Sequence, residues 1–529
     1  YVGGIMAFLK SFTKPAAAAI ADSTIKGDVT IDGDLTVNGA ATGTYDSILK
    51  GRLQILAADG AGAYIDISAD NADDNADKWR MVAATTGEFT IESFSTGSWV
   101  HHLELDANSR ISLSNNDNNS SNTVFGKTAF NAGSDNASDF NVALGELAMG
   151  TGTVAGATYN TAVGYKALED ITSGDNNIGV GAWAGVNLTI GHHNVSVGYG
   201  ALQAETVGNY SIAIGYRSLY SQTSDSDNET TNNVAMGHES GYYNVTGTSN
   251  TYIGSEAGKG ASSQSNSNNT GIGSAALKAI TTGGNNVAVG KGAGEAEVGG
   301  VANVYIGSGA GASIAGGEGL VIIGANAGAS MGVVDASVYI GREAGQYNKH
   351  TDTTQNVAIG KQALRGANAS STAPTNSVAV GYQALTAITT GANNVAVGSS
   401  AGDALTTGAN NVVLGYNAAG AMTDNTANVA VGVNALTAAN AGETGNTCLG
   451  HYAGSGIDDG SSHYNVIIGY TAGTGGEGSM LDCVAIGRNA MNSTVDENQT
   501  GTVAIGTDAL TALTTGGSNT AIGYQSGLA

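Results

Sequence analysis

Few residues of this chain are typed and spaced for chemistry. Gly-rich runs such as Gly179-Val-Gly181 and Gly307-Ser-Gly309-Ala-Gly311 could cradle phosphates. A phosphate loop also needs a Lys at fixed offset and a following helix, and neither is present. The pairs His101-His102 and His192-His193 offer imidazole nitrogens. Adjacent strand residues face opposite ways, so a pair cannot share one metal ion. The 44 Asp and Glu are scattered without the periodic Gly-Gly-x-Gly-x-Asp turn of calcium-binding β-rolls. No Ser-His-Asp or paired-carboxylate set recurs in register. The sequence therefore assigns no catalytic residue, no cofactor and no metal ligand, and the chain is read as a non-enzyme. One column remains. Tyr165, Tyr199, Tyr216, Tyr382 and Tyr416 each follow a recurring Gly. Exposed Tyr rows can bind glycans, while packing against a neighbouring coil is their structural role.

The elements that would position such residues are repeats. The Gly closing each Asn-Val-Ala-Ile/Val-Gly phrase recurs 23 times between Gly126 and Gly523, at spacings of 17 to 22 with 17 the commonest. One residue before it every copy is apolar, as in Val289. Three before it every copy is Val, Ile or Thr, as in Val287. Four before it 17 copies carry Asn, as at Asn160 and Asn394. Three after it every copy is Ala or Ser, as at Ala310. Alternation of β-branched residues beside Gly290 or Gly398 describes a short strand with one face buried. Asn and Gly tolerate left-handed backbone and would bracket the strand as turns. Each repeat then reads as one flattened coil of two short strands, with the Val and Ile columns inside. The residue between those columns, Ala396 or Tyr305 for example, is expected on the opposite face. An apolar second face predicts cover by another chain. The Thr-Thr-Gly turns are too irregular to form an ice-binding array.

Composition agrees with a folded repeat. Gly is 81 of 529, Pro 2, charged residues 12% and hydrophobic residues 41%. Disordered chains and collagen are both excluded by these proportions. The net charge of −25 repels a phosphate backbone, so nucleic acid is not an expected partner. Cys448 and Cys483 fall in different repeats, which predicts no disulfide. No apolar run is long enough to span a bilayer, so membrane insertion is not expected. Residues 6–20 have the outline of an export signal, broken by Lys10, Lys14 and Pro15.

The expected organisation is an N-terminal arm or attachment segment at 1–26 and a strand-turn-strand segment at 27–50. A small β domain at 51–114 follows, holding Tyr64, Trp79, Phe89, Phe94 and Trp99 around its own core. A hinge at 115–121 leads into a solenoid at 122–529. The fold class is all-β, a β-solenoid of about 23 repeats.

The phrase Asn-(Asn/Ser)-Val-Ala-(Ile/Val)-Gly at 285–290, 376–381 and 393–398 resembles the head repeat of trimeric autotransporter adhesins. The longer Thr-Thr-Gly-x-Asn-Asn-Val-Ala-Val-Gly at 281–290 and 389–398 is similar to phage tail-fibre repeats. So is Gly-Asp-Val-Thr-Ile-Asp-Gly-Asp-Leu-Thr-Val-Asn-Gly at 27–39. The resemblance implies a parallel homotrimer, joined at one end to other virion or filament components and meeting a host-surface glycan or protein. It implies a virion location; a bacterial surface adhesin or extracellular filament subunit is the alternative, and a depolymerase tailspike a third reading. The sequence shows neither the coiled-coil stalk nor the membrane anchor of an autotransporter. Its end at Gly527-Leu-Ala529, within a repeat, fits either loss of the self-cleaving chaperone that many tail fibres carry or a distal part beyond this sequence.

Overall fold

The computed structural model describes residues 62–68, 78–94, 98–105 and 111–112, and then 121–527 apart from short internal stretches, chiefly 131–136, 348–354 and 367–373. The arm at 1–26, the segment at 27–50 and the hinge from 115 to 120 lie outside the described residues. Two units divide at residue 63.

Strands β1 (Ala63–Ser68), β2 (Lys78–Ala83), β3 (Phe89–Ser93), β4 (Val100–Leu105) and β5 (Ile111–Ser112) form a five-stranded sheet in chain order. The pairings from β2 to β5 are antiparallel. Tyr64, Trp79 and Phe89 are exposed and do not make its core, while Phe94 and Trp99 are half-buried and meet at 5.2 Å. A polar knot lies beside them. Glu92 is buried and receives the Arg80 Nε–H at 2.5 Å and the Thr90 hydroxyl at 2.6 Å, with His101 Nε2 at 2.9 Å. The Arg80 guanidinium lies 4.1 Å from the centroid of Trp99.

From Thr123–Phe125 to Thr520–Ile522, 23 three-residue strands, one per motif Gly, form a single parallel sheet. Pairing is in strict register, as in Val287 with Val304, Ala288 with Tyr305 and Val289 with Ile306. The chain is thus a β-solenoid, and the glycines stack coil on coil. At about 4.8 Å per step, 22 steps extend the ladder about 105 Å. Each coil has one three-residue strand in this ladder, not two. The segment after the Gly alternates right- and left-handed residues, with positive φ at Lys166 and Leu168, which cannot continue a strand. It still bonds coil to coil: the Lys166 N–H donates to Glu146 and the Leu168 N–H to Ala184, both at 3.0 Å.

The strand faces are the reverse of the sequence expectation. The middle residue points inward and is fully buried, as at Ala143, Ala213, Tyr252, Tyr305, Tyr339 and Ala396. The flanking Val and Ile columns, Val287 and Val289 among them, point outward and are half-buried or exposed. A coil of about 17 residues is too narrow for two large columns, so the small residue goes inside.

Inside, volume is traded between two positions of each coil. Wherever Leu or Met stands four after the Gly, the inward strand residue is small, as in Ala162 with Leu168, Ala379 with Leu385 and Ala485 with Met491; in other small-residue coils, such as Ala235 with Gly241 and Ala396 with Gly402, that position is Gly and the Leu of the preceding coil reaches over it. Where the inward residue is Tyr or Ile, that position is Gly. Tyr305 goes with Gly311, Tyr339 with Gly345, Ile322 with Gly328 and Ile467 with Gly473. A Cβ on Gly345 would lie 2.3 Å from the Tyr339 ring. Beyond the first coil, where Val124 faces Phe130, close packing permits no more than one long side chain between these two positions.

Candidate functional site

The Asn column is the structural centre of the repeat. Asn160, Asn286, Asn394 and Asn411 are buried, and the side chains of Asn160, Asn286 and Asn411 donate twice and accept from the next coil. Asn286 Oδ1 accepts the backbone N–H of Asn303 at 3.0 Å, while its Nδ2 donates to Gly300 O at 2.7 Å and Asn269 Oδ1 at 3.1 Å. A buried amide so satisfied ties three coils together. Its backbone is not left-handed; that role falls to the preceding residue, as at Asn285 and Asn393. Ser377 replaces Asn and its hydroxyl takes the Asn394 N–H at 3.2 Å. Leu320 and Cys483 receive the ladder through their N–H groups, from Asn303 and Asn465, without an amide to pass it on.

The motif glycines line the next corner. Gly290 has φ +135°, and a Cβ there would sit 2.6 Å from the carbonyl of Gly307. Gly398 is in the same position against Gly415. At Gly523 nothing lies within 4 Å. Ala310, three after its Gly, is fully buried.

Three buried carboxylates cap turns inside the solenoid, and sequence reasoning missed them. Glu205 Oε1 accepts the N–H groups of Thr206, Val207 and Gly208. Glu297 accepts the Gly300 N–H at 2.6 Å and the Tyr305 hydroxyl at 2.6 Å. Glu443 accepts the Gly460 N–H at 3.0 Å. Burial holds the Glu297 carboxyl above the usual range and pushes the Tyr305 phenol well up. The signal was available: Glu205 and Glu297 stand where Ile or Leu stands in other coils, as at Ile388 and Leu405. These groups are enclosed and hydrogen-bonded, which suits them to holding turns.

The five candidate surface tyrosines, Tyr165, Tyr199, Tyr216, Tyr382 and Tyr416, are all exposed on the outer wall. The structure brings only Tyr199 and Tyr216 together, stacked at 5.6 Å, with His238 on Tyr216 at 5.3 Å. Stacking along the ladder covers ring faces and leaves edges and hydroxyls outward. Tyr165 meets Trp183 edge-on, and Lys361 lies 5.5 Å from the Tyr382 centroid.

His192 Nδ1 accepts the Asp175 N–H, and His193 stacks on Tyr210. Cys448 and Cys483 are buried free thiols, and burial pushes Cys448 up to about 12. Among the described residues no three His, Cys, Asp or Glu side chains converge on one point, and no helix is long and apolar enough to cross a membrane. No family model, curated protein or solved structure matches the chain.

Proposed function

We propose that the chain is the shaft of a homotrimeric attachment fibre, a phage tail fibre or related virion appendage that presents a binding end to a host surface. Its work is mechanical. Every coil is bonded to the next through the backbone ladder, and most through the Asn column as well, so local opening must break several bonds at once.

The observation that carries the reading is the outward Val and Ile face. The two columns run through all 23 strands with no charged residue in either, in a chain with 44 acidic and 19 basic side chains. Ile253, Ile272, Ile306, Ile359, Val397 and Leu449 are exposed in the single chain. The strip measures about 105 Å by about 7 Å, at or above the largest apolar patch of an ordinary monomer. A second and third copy carry the same strip at the same pitch, so parallel association covers it along its whole length.

Sedimentation equilibrium tests this directly. The expected mass is three times the 52.3 kDa chain, and a single-chain mass at micromolar concentration overturns the reading.

A further inference from the structure

The position two residues after each motif Gly forms an outward column whose members commonly bond to one another. The Gln362 amide donates to Glu343 at 2.7 Å, and Asn417 donates to Asn434 at 2.9 Å. Arg217 stands in this column and does not follow the pattern. On one side its neighbour is Gly200, which offers no side chain; a Cβ there would meet the Arg217 stem at 3.6 Å. On the other side is Glu239, whose carboxylate is held by Lys259 Nζ at 2.7 Å. The Arg217 Nε is buried and makes no hydrogen bond.

Two aromatic walls frame this guanidinium. Its carbon lies 5.1 Å from the Tyr216 centroid and 5.2 Å from that of Tyr220. Tyr216 belongs to the stack with Tyr199 and His238. Tyr220 stacks on Tyr242 at 4.9 Å with the rings 4° apart. The two stacks run along the ladder on either side of Arg217, and stacking fixes each ring without moving any backbone. Cation–π contact supports the guanidinium on its faces but satisfies none of its N–H donors. With Nε enclosed, a guanidinium bordered by aromatic rings is left to grip a carboxylate or sulfate through its two Nη groups, in two parallel bonds.

We propose that Arg217, framed by Tyr199, Tyr216, Tyr220 and Tyr242, is a subsite for one carboxylate or sulfate group of an acidic saccharide. Tyr216 and Tyr199 are 41% and 46% exposed, so ring edges and hydroxyls border the opening and can meet the sugar hydroxyls. The chain's charge of −25 opposes a long polyanion at distance. It leaves short-range bonding of a single acid group as the attraction. The subsite lies within three adjacent coils and does not depend on the fibre reading or on oligomeric state.

Isothermal titration of the full chain with a galacturonic acid tetrasaccharide, a sulfated galactan tetrasaccharide and neutral galactotetraose tests the proposal. At least one acidic probe should bind, about tenfold or more tighter than the neutral one, and which of the two binds distinguishes carboxylate from sulfate. Arg217→Gln should remove that preference while leaving the thermal unfolding curve in place. If Gln shifts unfolding, Arg217→Lys decides, because it keeps charge and stem but loses the fork; it should bind several-fold more weakly. Equal affinity for acidic and neutral probes, binding of none, or an unchanged preference in the informative variant overturns the proposal.

Discussion

Each column of this repeat answers one physical demand, and substitution at single residues separates the demands. Gly290 combines φ +135° with an approach of 2.6 Å to the next carbonyl, so no other side chain fits without moving backbone. Gly290→Ala should destabilise the central coils by about 1–3 kcal/mol, read as a lower melting temperature and new proteolytic cleavage near residue 290. Glu297 gives a pH signature of definite sign. Its folded carboxyl titrates above the ordinary glutamate range because burial disfavours the charge. The protonated form therefore contributes stability that is full at acid pH and is lost as pH rises through the raised value. Glu297→Gln keeps an acceptor for Gly300 and can donate to the Tyr305 oxygen without titrating. Thermal melts from about pH 4 upward should show the Gln variant gaining on the native protein with rising pH. Parallel curves would show that Glu297 is not strained by burial.

At the scale of the coil, the trade between the inward strand residue and the residue four after the Gly is the strongest packing rule. Gly345→Leu alone places side-chain atoms in the Tyr339 ring, and Tyr339→Ala alone leaves a cavity that costs about 3–5 kcal/mol. Together they recreate the Ala379 and Leu385 pairing, whose Leu already adopts positive φ. The double variant should recover most of the melting temperature lost by either single change; additive losses would refute the volume trade. The repeat, its boundaries and its strand position were legible because Val, Asn and Gly recur in fixed columns. Which face of the strand turned inward was not. Val287, Ala288 and Val289 are all apolar, so period-two alternation carries no polar marker. The absolute sense is set by how little room a 17-residue coil encloses. A correlation of Tyr305, Tyr339 and Ile467 with Gly four after the motif Gly would have revealed it, since only an inward Tyr needs that space. The Tyr column was legible as a column, with exposure and packing against the neighbouring coil both open, but the framing of Arg217 was not legible. It requires Gly200, Tyr220 and Tyr242 from three coils to be placed together.

For the whole solenoid, the orientation of the strand decides what association is available. The outward columns are continuous and uncharged, while the inward one is sealed within each chain, so the two respond oppositely to charge. Lysine at Val289, Ile306 and Ile323 together would project three ammonium groups from consecutive coils of the outer face. A single chain bears this with little loss, because those side chains are already in contact with solvent and Lys keeps its apolar stem. Three chains packed on that face cannot, since three unpaired charges would be enclosed at each of three consecutive levels of the interface. The triple variant should therefore sediment as a folded monomer with native circular dichroism. Ala288→Lys, one residue away but inward, should abolish folding of the central coils instead. A triple variant that keeps the oligomeric mass would remove the Val and Ile strip as the contact face, and the tyrosine-bearing wall would then be the surface to probe with the same substitutions.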